Sequence, residues 1–137
     1  MNPGVYYVWV GGSCDYTDER RVGAAAYIIE KENLKICDYV VADFNTTEFR
    51  MILNVMIHAM TILPEKSQIV FVSNVAYIQN YNKVPQPNTA NSDLIKQCLA
   101  LKERHTSCNV KIVPYHKFSQ LQETHDVAHR QMIKLRV

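Results

Sequence analysis

The chain has 137 residues, 47% of them hydrophobic, enough for one well-cored domain and too few for two, so a single domain over residues 1–137 is expected. Charged residues make up 20%, with only four glycines and five prolines, which excludes a disordered, collagen-like or linker-dominated chain. The formal net charge is +2 and no block of five or six basic residues occurs, so charge alone does not announce a nucleic-acid binder.

Val5 to Val10 is β-branched and aromatic, and reads as a first strand stopping at Gly11-Gly12. After a polar loop, Val22 to Glu30 and Leu34 to Phe44 read as two further strands joined by the turn Lys31-Glu32-Asn33, making an antiparallel meander. Asn45 to Glu48 resembles a capping box. Behind it Ile52, Val55, Met56, Ala59, Met60 and Leu63 recur at helical spacing until Pro64, which predicts the main helix.

Gln68 to Ser73 fits a central fourth strand, followed by a brief helix over Val75 to Tyr81 and an irregular loop from Asn82 to Ala90. Ser92 to His105 reads as a helix with Leu94, Ile95, Cys98, Leu99 and Leu101 inward. Asn109 to Val113 reads as a fifth strand ended by Pro114, and Gln122 to Leu135 as a closing helix. Strands four and five, joined by a helical crossover, must run parallel. The expectation is an α/β fold with a mixed five-stranded sheet and helices on both faces in three layers.

No eighteen apolar residues run together, and Met1 to Gly12 lacks a signal-like pattern, so a soluble cytoplasmic protein without a membrane partner is expected. Cys14, Cys37, Cys98 and Cys108 form no C-x-x-C pair and read as free, mostly buried thiols.

Short motifs at corresponding places resemble those of the ribonuclease H family, over nearly the whole chain. Val10-Gly11-Gly12-Ser13-Cys14 is similar to the family's T-D-G-S turn, with Gly11 at the first catalytic aspartate. Thr46 to Leu53 is similar to T-T-N-N-R-M-E-L, with Ile52 at the catalytic glutamate. Val72 to Ile78 resembles S-T-D-S-Q-Y-V, with Asn74 at the third aspartate. Val113-Pro114-Tyr115-His116 resembles V-x-x-H, and Glu123 to Ala128 resembles E-x-x-D-x-L/A, which retains His116 and Asp126. Asn82 to Ala90 is too short and too poor in Lys and Arg for the basic handle of some members, so the layout is closer to the handle-less retroviral type.

The resemblance implies that Gly11, Ile52, Asn74 and Asp126 meet at the C-terminal edge of the central strands, with strand one between strands two and four. It also implies a lost activity. The family cuts the RNA strand of an RNA–DNA hybrid with two metal ions held by clustered carboxylates. Two divalent cations ~4 Å apart repel by about 4 kcal/mol at the dielectric of water and about 17 kcal/mol at an effective value near 20, which one aspartate cannot offset. Glycine and isoleucine offer no ligand, and Mg²⁺ takes a neutral amide oxygen poorly without nearby charge. The expectation is a pseudoenzyme without bound Mg²⁺ that binds nucleic acid, with a hybrid first and a protein partner as the alternative. Retained cutting through non-standard ligands would need Asp15, Asp18 or Glu48; Glu48, one turn before Ile52, reads first as part of a helix N-terminus.

Arg20, Arg21, Arg50, Lys83, Lys117 and Arg130 are the candidate nucleic-acid contacts: one basic groove over the old site favours nucleic acid, and scattered charge around an apolar floor at Ile52 favours protein. His125 and His129 stand four apart, a spacing that can share a metal, but no third ligand is evident and they read first as an exposed or capping pair. His58 reads as an interior or boundary histidine. Tyr6, Tyr7, Trp9, Tyr39 and Phe44 read mainly as packing, with a base-stacking platform as the alternative for whichever face of the first strand is solvated.

Overall fold

The computed structural model describes residues 4–85 and 90–137. Its elements in chain order are β1 (Val5–Cys14), β2 (Gly23–Lys31), β3 (Leu34–Asp43), α1 (Glu48–Ile62), β4 (Gln68–Ser73), α2 (Ser92–Lys102), β5 (Ser107–Ile112) and α3 (Ser119–Arg136), with short 3-10 segments at Ala76–Asn82 and Tyr115–Lys117. Part of the irregular loop expected between Asn82 and Ala90 lies outside the described residues. The sheet order is β3-β2-β1-β4-β5; β1–β2 and β2–β3 are antiparallel, and β1–β4 and β4–β5 are parallel. This is a mixed five-stranded α/β sheet with the first strand between the second and fourth.

Alternation along the strands explains the layers. Val8, Val10, Ala25, Tyr27 and Ile29 face α1 and α2 in the larger core, whereas Ala24 and Ala26 pack on Ala128 and Met132 of α3. Trp9, on the α3 side with Leu121, is 1% exposed and its indole N–H donates to Glu30 at 2.8 Å. Helices therefore cover both faces.

Two local expectations need correction and a third holds. β1 does not stop at the glycines: Gly11 and Gly12 pair with Ala26 and Ala25 of β2, because a long partner strand lets the ladder run through residues that would end a strand alone. The cap of α1 is not Asn45 but Thr47, whose Oγ1 accepts from the Arg50 N–H at 3.1 Å, while Asn45 sits at φ 54° in the preceding turn. Glu48 is thus the first helical residue and its carboxylate is not folded back on a cap. The β2–β3 turn behaves as read, with Glu32 and Asn33 both in the left-handed region, as a two-residue hairpin turn demands.

Among the thiols, Cys14 and Cys37 are half-buried and Cys98 and Cys108 buried, and all are free. Burial holds Cys98 up at about 12 and Cys108 at about 11, which makes them inert packing groups. No helix among the described residues is long and apolar enough to cross a membrane.

Candidate functional site

The neighbouring parallel strands β1 and β4 end at the same edge of the sheet. From β1 the chain turns back through β2 on one side; from β4 it proceeds to β5 on the other. Such a divergence opens a crevice beyond the strand ends. A cleft of about 360 Å³ lies there, lined by Gly11, Gly12, Glu48, Asn74, Tyr115 and His125 among others.

The glycines explain how tightly the two helical layers close on β1. A Cβ on Gly11 would lie 2.7 Å from Thr124 Oγ1 and 3.3 Å from the His125 nitrogen, so α3 fills the space that a side chain would need. A Cβ on Gly12, on the opposite face, would lie 3.1 Å from both Glu48 Cγ and Ile52 Cγ1 of α1. Thr124, 1% exposed, is held by donating its hydroxyl to the Leu121 carbonyl at 2.9 Å. Packing of α3 thus leaves no room for a side chain at Gly11.

Of the residues that the motifs singled out, Gly11 and Asn74 share the cleft wall. Ile52 does not line it; its side chain is 0% exposed in the main core, beneath Gly12. Asp126 is exposed and does not line the cleft either, because on α3 the inward positions are taken by Thr124 and Ala128 and the rim by His125. His116 is likewise exposed; the neighbouring Tyr115 turns in, and the His116 carbonyl accepts from Gln122 Nε2 at 3.3 Å. Of the four positions expected to converge, two line the cleft.

The cleft carboxylate is Glu48. It accepts a hydrogen bond from the Tyr77 hydroxyl, which burial and then the bonded carboxylate push above the usual phenol range, so Tyr77 stays a donor. Phe49 packs edge-on against the Tyr77 ring at 5.0 Å and fixes it from the same helix turn. Opposite, His125 donates Nδ1–H to the Gly12 carbonyl at 3.3 Å and meets Tyr115 edge-on at 5.9 Å. The one sequence signal for Glu48 was its position one helical turn from Ile52; Tyr77, Tyr115, Thr124 and His125 lay inside the quoted motifs but at positions to which the resemblance assigned no role.

The other acids weighed as substitutes are engaged elsewhere. Asp15 is drawn down to about 2 by hydrogen bonds from the Thr17 hydroxyl and backbone and by Arg136, and Asp18 accepts from the Arg20 backbone at 2.8 Å. Neither lines the cleft.

None of Arg20, Arg21, Arg50, Lys83, Lys117 or Arg130 lines the cleft. Arg50 forks onto Asp93 at 2.8 and 3.1 Å, and Arg20 lies 4.7 Å over the Phe44 ring and donates to the Arg136 carbonyl at 2.5 Å. Arg21, Lys83, Lys117 and Arg130 are exposed on separate segments. The aromatic residues are mostly committed to packing: Tyr39 stacks on His58 at 3.7 Å, Tyr6 lies under the Lys31 ammonium, and Val8, Trp9 and Val10 are buried. His58 is the expected boundary histidine, with Nδ1 2.8 Å from the Tyr27 hydroxyl.

Among the described residues, no group of three or more His, Cys, Asp or Glu is placed to hold a metal ion. No protein-family model matches the chain, and no curated protein matches it.

Proposed function

We propose that this chain is a ribonuclease H-like domain that binds without cutting, and that its partner is a protein rather than an RNA–DNA hybrid. The sheet order supports the fold reading, since the motif resemblance implies strand one between strands two and four with a cleft at their C-terminal ends. The observation that carries the loss of cutting is the burial of Ile52 under Gly12. A two-ion site needs several carboxylates converging on one volume. This cleft offers one, Glu48, already bonded by Tyr77, beside a neutral amide at Asn74.

The charge map separates the two classes of partner. Hybrid binding draws its affinity from cations on phosphates, and none of the six candidate cations borders the cleft. Large apolar side chains instead stand in solvent away from the cleft: Leu34 is 69% and Ile36 51% exposed on β3, an edge strand, and Ile62 is 49% exposed at the end of α1. Those features favour a protein partner.

Two assays test the reading. Incubation with an RNA–DNA hybrid and Mg²⁺ or Mn²⁺ is expected to give no cleavage; turnover abolished by Glu48→Gln or Asp126→Asn would overturn the non-cutting assignment. In a salt titration, hybrid binding is expected to be weak with a shallow slope. If all six cations contacted phosphates the logarithmic slope would be roughly −5, and finding such a slope would restore nucleic acid as the partner.

A further inference from the structure

We infer that His125 and His129 form a chelating site for a single divalent transition-metal ion such as Zn²⁺, on the rim of the cleft and independent of any family metal chemistry. The pair stands one helical turn apart on α3 with nearly parallel rings, 13° between planes and 6.2 Å between centroids. What distinguishes it from an ordinary surface pair is that β1 holds both Nδ1 atoms. The Gly12 carbonyl can only accept, so the His125 Nδ1 must carry the proton and Nε2 keeps its lone pair.

His129 Nδ1 lies 3.3 Å from Ser13 Oγ, and the Ser13 hydroxyl donates its one proton to Met132 Sδ at 3.7 Å. With its proton on Met132 Sδ, Ser13 Oγ can accept from His129 Nδ1–H, an arrangement that leaves the second Nε2 with its lone pair as well. His125, and His129 in that arrangement, present the tautomer that a metal-binding histidine adopts when an outer group holds its other nitrogen.

A tetrahedral ion at its usual distance of about 2.0–2.1 Å from each Nε2 sets the ring centres roughly 5 Å apart, so the rings must close by roughly 1 Å and turn until both planes contain the ion. His129 is exposed and His125 half-buried on the cleft wall, so the site is open to solvent and the rings can turn. Two imidazoles suit Zn²⁺, Ni²⁺ or Cu²⁺ and not the oxygen-seeking Mg²⁺. The remaining coordination positions fall to water or to an anionic group entering the cleft. With half the ligands of a structural zinc site, binding should be reversible and of micromolar strength.

The test is a Zn²⁺ titration of the whole chain, read by long-range proton–nitrogen NMR of the imidazoles, which reports tautomer and ligation at each ring. The expected result is neutral Nδ1–H tautomers before metal and concerted movement of both Nε2 signals on addition. His125→Gln and His129→Gln should each weaken binding by about tenfold or more, and His116→Gln should leave it unchanged. If His125→Gln disturbs the contact with β1, the exposed His129→Ala variant carries the test alone. Absence of binding at millimolar Zn²⁺, binding insensitive to the His129 variants, or binding abolished by Cys14→Ser would overturn the assignment. The hybrid cleavage and salt assays do not bear on it, so the two readings fail separately.

Discussion

Ile52→Glu places a carboxylate where the resemblance to the ribonuclease H motif expects one, and the structure says what that must do. The side chain is 0% exposed and sits within contact of the backbone at Gly12, so the new carboxyl enters the apolar core and not a hydrated cleft. A carboxyl near 4.3 in the unfolded chain, held protonated by burial, costs about 4 kcal/mol at pH 7. Losing the burial of the isoleucine adds about 2 kcal/mol. The sum, about 6 kcal/mol, rivals the whole stability of a domain of this size.

The sign with pH follows from the raised folded value. The penalty is nearly absent below about pH 4, grows as pH rises past the unfolded value, and levels off only above the folded one. Urea unfolding of Ile52→Glu and of the neutral near-isostere Ile52→Gln, followed from pH 4 to pH 7, separates the titrating part from the packing part. The two variants should converge at low pH and diverge by several kcal/mol at neutrality, and Mg²⁺ should not restore Ile52→Glu. A glutamate variant within about 1 kcal/mol of the glutamine variant at pH 7 would refute the reasoning, since it would mean that water reaches this position.

Three further outcomes are expected. Gly11→Ala should destabilise by about 1–3 kcal/mol through overpacking on Thr124, and Thr124→Ala should be less harmful in that background than alone; additive losses in a double-mutant cycle would show that the two do not touch. Tyr77→Phe should remove roughly 1 kcal/mol in urea unfolding, because Glu48 is only half-buried and water can replace the donor; an unchanged stability would argue against the bond. Asp15 has a folded value near 2 against an ordinary 3.8, so it contributes stability above the ordinary value that is lost as pH falls toward 2; Asp15→Asn should flatten the acid limb of the stability profile over that window, and an unchanged limb would count against the Thr17 and Arg136 contacts.

Most elements were legible because their signals are local. Gln68 to Ser73 carries enough β-branched residues to be a strand anywhere, Pro64 ends the apolar repeat of α1, and Glu32-Asn33 is turn chemistry at a two-residue hairpin. The crossover between β4 and β5 then fixes their parallel pairing by reach alone. What the sequence by itself determined was thus the order of elements, the mixed sheet and the approximate place where the quoted motifs gather.

The composition of the cleft was decided by contacts distant in sequence. Whether Thr47 or Asn45 capped α1 depended on the turn geometry, and that choice freed Glu48. Which glycine met which helix depended on the parity of β1 once it ran on through β2, and this put Thr124 against Gly11 and Ile52 against Gly12. The helical phase of α3 on the sheet turned His125 in and Asp126 out, and one residue's difference in the 3-10 turn chose Tyr115 over His116. A one-residue change of phase exchanges inward and outward side chains without altering the local pattern, so only the packed structure could select among these neighbours.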